Sequence, residues 1–88
     1  MKIKSGYLVR EIAGCHIVVP VGGRVIDFKG IMTLNNSGHF LWEHMANDIT
    51  RNELLTFMLA EYEIDEATAR NDMEEFLATA RDSGVLEE

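Results

Sequence analysis

Ile31-Met32-Thr33-Leu34-Asn35-Asn36-Ser37-Gly38-His39-Phe40-Leu41-Trp42 is the stretch in which the chain changes its period. Up to Leu34 the apolar and β-branched residues suit an extended segment. From Asn35 onward, Asn35-Asn36-Ser37 supplies side-chain oxygens that satisfy the free amides of a helix start. Phe40, Leu41, Trp42 and Met45 then follow at helical spacing, which predicts a first helix over about residues 36 to 46.

Working back from this switch, Tyr7 to Pro20 reads Tyr-Leu-Val-Arg-Glu-Ile-Ala-Gly-Cys-His-Ile-Val-Val-Pro. It is rich in β-branched residues and broken at Ala13-Gly14-Cys15, the pattern of a hairpin. A second break at Val21-Gly22-Gly23-Arg24 precedes Val25-Ile26-Asp27-Phe28-Lys29-Gly30-Ile31-Met32-Thr33-Leu34, which contains a third strand. A three-stranded antiparallel meander is expected. Pro20 lies in the sheet half, where its missing amide donor suits a strand end or an edge.

Working forward, Thr50 and Glu53 have the spacing of a capping box, and Ile49 and Leu54 occupy the flanking staple positions. The second helix runs from there to about Tyr62, with Leu54, Leu55, Met58, Leu59 and Tyr62 as one apolar stripe. Ile64 and Asp65 repeat the staple-and-cap logic, with Ala69 at the matching position. The third helix presents Ala69, Met73, Phe76, Leu77 and Ala80 on one face and ends at Gly84, a left-handed stop followed by apolar Val85. It covers residues 66 to 83, roughly 27 Å at the α-helical rise. The expected architecture is α+β: a three-stranded antiparallel sheet followed by three helices, in one domain over residues 1–88.

Composition agrees with a folded domain. The 88 residues are 47% hydrophobic, too rich for intrinsic disorder, yet a chain this short buries only roughly 60 to 65% of its unfolded surface. Cys15 stands alone, so no internal disulfide forms, while pairing between two copies stays open. The first seven residues lead into no signal-like apolar run, and no membrane-spanning stretch follows, so a cytoplasmic location is expected. The charge is polarised. Residues 1–44 carry five Lys/Arg and three acids, and residues 45–88 carry three Arg and twelve acids. The acidic half repels phosphate backbones and attracts basic peptides, which disfavours nucleic acid as a partner.

Catalytic groups do not converge. Cys15 and His16 point to opposite faces of an extended strand, so they make no nucleophile and base pair. His39 and Glu43 share a helix face, but one imidazole and one carboxylate fall short of a metal site. No phosphate loop, dinucleotide fingerprint or CxxC is present. Neither a catalytic residue, nor a metal, nor a cofactor is expected.

His16-Ile17-Val18-Val19-Pro20, Ile31-Met32-Thr33-Leu34-Asn35 and Leu41-Trp42-Glu43 together resemble the PqqD-like family. So does the later order of Thr50, Glu53-Leu54-Leu55, Glu61-Tyr62, Asp72, Phe76-Leu77 and Gly84-Val85-Leu86. The resemblance covers nearly the whole chain. It implies a winged-helix-like domain that serves as a recognition element for ribosomally made precursor peptides. The leader segment of the peptide would lie beside the third strand, in the groove between that strand and the third helix. A radical S-adenosylmethionine maturase would do the chemistry. In this chain the groove corresponds to residues 28–34 and 66–83.

The binding residues expected from that placement are Phe28, Lys29, Gly30, Ile31, Met32 and Thr33 on the strand, and Ala69, Arg70, Asp72, Met73 and Phe76 on the helix. An edge strand offers unpaired amides and carbonyls to an added strand, and side chains then supply selectivity. Gly30 either admits a second backbone closely or marks a bulge. Met73 and Phe76 have the spacing of core residues, and Met32 and Met73 also have the compliance of pocket walls. Arg70 and Asp72 lie on opposite flanks of the helix stripe, and if Asp72 faces the peptide its counterpart is a basic leader residue. Trp42 reads as a core anchor, and Asp72-Met73-Glu74-Glu75 as a solvated face. Two rival readings remain: a winged-helix DNA-binding or regulatory protein, opposed by the acids on the third helix, and a homodimer formed through the strand edge.

Overall fold

The computed structural model describes residues 1–23 and 32–88. The expected strand positions Phe28, Lys29, Gly30 and Ile31 lie outside the described residues, as does the rest of 24–31. Chain order is β1 (Lys2–Ile3), β2 (Tyr7–Ile12), β3 (Cys15–Pro20), β4 (Met32–Leu34), α1 (Asn36–His44), α2 (Arg51–Glu61), α3 (Glu66–Asp82) and β5 (Leu86–Glu87).

The expected hairpin closes through Ala13 and Gly14, with φ of +53° and +81°. Positive φ at both central residues is what a two-residue type I′ turn requires, and its twist matches that of the strands it joins. The turn sets the register Ile12↔Cys15 and, further along, Val9↔Val18. β3 then pairs antiparallel with β4 through Val18↔Met32 and His16↔Leu34, so the sheet order is β2-β3-β4. Because side chains alternate, the row Val9-Val18-Met32 turns inward and the row Arg10-Ile17-Thr33 turns outward.

Each helix begins with the cap its sequence announces. Asn35 Oδ1 accepts from the Gly38 amide at 2.7 Å. Thr50 and Glu53 satisfy each other's amides at 3.1 Å in a complete capping box. Asp65 accepts from the Thr68 amide at 2.7 Å, and hydrogen bonding by the Thr68 side chain, then by its amide, holds the carboxyl below the usual range. The end of α3 is a Schellman motif: Gly84, at φ +80°, donates to Arg81 and Val85 donates to Ala80, each at 3.1 Å. Val85 is fully buried, which supplies the hydrophobic contact of that motif.

The core unites the inner sheet face (Val18, Met32, Leu34) with Leu41 and Met45 beside α1, Leu54, Leu55 and Met58 of α2, and Ala69, Met73, Phe76, Leu77 and Ala80 of α3. Trp42 is partly buried against it. The α2 stripe is narrower than its spacing predicts. Leu59 stays exposed and Tyr62 half-buried, the latter in edge contact with Phe40 at 5.4 Å. Leu54, Leu55 and Met58 are the buried positions of α2, and Leu59, one residue beyond Met58, turns about 100° away from it.

A second sheet was not anticipated. β1 pairs with β5 through Lys2↔Glu87 and Ile3↔Leu86, and the Ile3 amide donates to Met45 at 3.0 Å. Two-residue strands carry no periodicity, so only the meeting of the two chain ends reveals them. Among the described residues no helix is long and apolar enough to cross a membrane.

Candidate functional site

A groove of about 610 Å³ opens between β4 and α3, on the side of β4 away from β3. Met32, Leu34 and Phe76, nearly buried, form its apolar floor. Thr33 rims the strand side, while Asp72, Glu75, Ala78 and Thr79 make the α3 wall. The start of α1 closes one end through Asn35, Ser37 and Gly38. Gly38 packs closely there: a Cβ would stand 3.0 Å from Asn35 Oδ1, a tight contact, and 3.6 Å from both Leu34 Cδ2 and Phe76 Cδ1, an ordinary one. An alanine there would need the capping Asn35 side chain to give by a few tenths of an ångström.

Of the expected strand residues, Met32 and Thr33 line this groove. Of the expected helix residues, Asp72 and Phe76 line it. Ala69 and Met73 are fully buried and serve the core beneath. Arg70 is not part of the lining and pairs with Glu66 at 3.6 Å. Leu34, Glu75, Ala78 and Thr79 fall in the expected segments but were not among the named binding residues, and Asn35, Ser37 and Gly38 lie outside those segments. Glu75, Phe76 and Thr79 lie three, four and seven residues after Asp72, so they share its helix face. Gly38 also left a trace, as a glycine inside a helical segment without a propensity reason to be there.

The groove differs in charge from the rest of the surface. Its charged lining residues, Asp72 and Glu75, are both carboxylates, the reverse of a nucleic-acid interface. A second cavity, of about 670 Å³, lies where Met1, Asp48, Arg51, Arg81 and Glu88 meet. There the charges satisfy one another. The Met1 ammonium contacts Asp48 at 2.6 Å and holds its carboxyl below the ordinary carboxylate range. Arg81 binds Glu88 and lowers its pKa in turn, and Arg51 reaches Glu74 at 3.0 Å.

Two of the three histidines meet and the third lies apart. His39 Nε2 is 2.9 Å from Glu43 Oε1, and its ring stacks on that of His16 at 4.1 Å. His44 stacks instead on Phe57 at 4.4 Å. Cys15 is exposed. No cluster able to hold a metal ion occurs among the described residues.

Fold and groove together define a small α+β domain in which a sheet edge is walled by a helix. The family model described as coenzyme PQQ synthesis protein D (PqqD) matches residues 15–86, and the chain belongs to that family. Among solved structures it is similar to TbiB1 in complex with the TbiA(beta) leader peptide. The TM-score is 0.74 at 21% identity, over 99% of this chain and 95% of that one. No curated protein matches.

Proposed function

We propose that this protein is a non-catalytic adaptor that binds the leader segment of a ribosomally synthesised precursor peptide. The leader adds as a strand to the outer edge of β4 and lies in the groove against α3. The walled edge of β4, which pairs with no further strand among the described residues, carries this reading, in a chain of the PqqD family whose structural neighbour is a complex with a leader peptide. Backbone hydrogen bonds give strand addition its affinity, and pockets for alternate side chains give it selectivity.

The adaptor needs no cofactor of its own. It holds the precursor while a separate modifying enzyme acts on the remainder, raising the local concentration of that segment. A radical S-adenosylmethionine maturase in the cytoplasm is the partner that the family resemblance implies.

Isothermal titration with a synthetic leader from a short precursor encoded beside this gene tests the proposal, together with amide-shift mapping. The expected result is one-to-one binding with a micromolar to nanomolar constant, about −8 to −12 kcal/mol. Shifts should concentrate at Met32–Leu34 and along the Asp72 to Thr79 face of α3. Absence of heat and of shifts with every such neighbouring peptide would remove the leader-binding function.

A further inference from the structure

We infer that the groove selects leader segments presenting a Lys or Arg side chain towards α3, with Asp72 and Glu75 as a two-carboxylate receptor. This inference rests on the adaptor reading and names the chemistry of its ligand.

Its first support is the way charges are distributed along α3. Glu66 pairs with Arg70, Glu74 with Arg51, and Arg81 with Glu88. The two carboxylates in the groove, Asp72 and Glu75, have no cationic partner among the described residues, and the described lining contains neither Lys nor Arg. The chain carries three Arg in its acidic half, and all three are engaged away from the groove. Carboxylates without a cationic partner among the described residues, beside an apolar floor, favour a cation brought by the ligand.

Geometry provides the second support. Asp72 and Glu75 are three residues apart on one helix face, about 4.5 Å along the axis. A strand added beside β4 projects alternate side chains to the same side, about 6.7 Å apart. One long basic side chain can therefore reach both carboxylates, and a second at the i+2 position falls beside the pair. Lys and Arg also suit the walls. Their methylene stems cover apolar surface such as Met32 and Phe76, while the charged head stays at the polar rim. A leader acid at that position would face two like charges, so the arrangement also excludes wrong peptides.

The test is selection of a phage-displayed random dodecapeptide library on the full chain. Selected peptides are then synthesised, mapped by amide shifts and titrated. Peptides that shift the Met32–Leu34 amides should be enriched in Lys or Arg at one position. Against the Asp72→Asn, Glu75→Gln double variant they should bind about tenfold more weakly. Replacing that peptide residue by Glu should cost more, and Asp72→Lys should restore much of the loss. Glu63→Gln with Asp82→Asn, which removes the same charge outside the groove, should leave affinity unchanged.

Groove-binding peptides without basic enrichment, or equal losses in the two double variants, would overturn the charge selection while leaving the adaptor reading in place. Failure of any selected peptide to move the β4 amides would count against the adaptor reading itself and would take this inference with it.

Discussion

The sheet has two edges, and they are built for opposite fates. β2 spans six residues, with Arg10 and Glu11 exposed and with Leu8 and Ile12 also largely open to solvent. β4 is described over three residues, with Met32 and Leu34 buried and only Thr33 exposed. Among the described residues neither edge pairs with a further strand, and it is β4 that lies beside a second wall, α3, able to contact the side chains of an incoming strand. Charges on an edge discourage pairing. A free edge becomes a receptor when a neighbouring element supplies the pockets that backbone hydrogen bonding lacks.

Truncating the apolar support on each side gives the largest expected contrast. Phe76→Ala removes a nearly buried ring from the groove floor and should cost about 3 to 5 kcal/mol, much of what a domain of this size possesses. Leu8→Ala, at 45% exposure, should cost no more than about 1 kcal/mol. Urea unfolding of both variants checks this, and equal losses would break the comparison.

A smaller effect lies in the turn that sets the register of both edges. Ala13 holds φ at +53°, a conformation costly for a residue with a Cβ. Ala13→Asn should therefore stabilise the protein by about 0.5 to 1 kcal/mol, because Asn-Gly is the favoured type I′ pair. A lowered denaturation midpoint would show that the turn does not impose the register.

The last test concerns the anchor of the groove wall. The Thr68 hydrogen bonds lower the pKa of Asp65 in the folded protein relative to its ordinary unfolded value. Its contribution is therefore present above the ordinary Asp range and is lost as pH falls through the lowered folded value. The stability advantage over Asp65→Asn should shrink as pH drops from about 5 to about 2. Urea midpoints across that range measure it, and a constant difference would mean that the charge plays no part in the cap.

Much of this molecule is legible locally. Thr50 with Glu53, Asp65 ahead of α3, Gly84 after it, and the Ala13-Gly14 break each involve residues within a few positions of one another, so spacing alone reveals them. The stripe Ala69, Met73, Phe76, Leu77, Ala80 is likewise buried as its spacing requires. At the groove the reading is coarser. The family resemblance implies a strand beside the helix, but spacing does not distinguish Met73, which is sealed in the core, from Phe76, which serves core and groove together. Leu59 illustrates the same limit on α2.

The sequence by itself therefore determined the order of the hairpin, the third strand and the three helices, the helix caps and the buried side of α3, because these follow from hydrogen bonds and periodicity within one segment. Only the tertiary structure decided that Asp72 and Glu75 face the groove while Arg70 pairs with Glu66. It alone brought Leu34, Gly38 and Phe76 together and joined the chain ends as β1 and β5. The rotation of a helix about its axis and the meeting of distant strands are settled by packing between segments far apart in sequence. Period and propensity within a single segment do not contain that information.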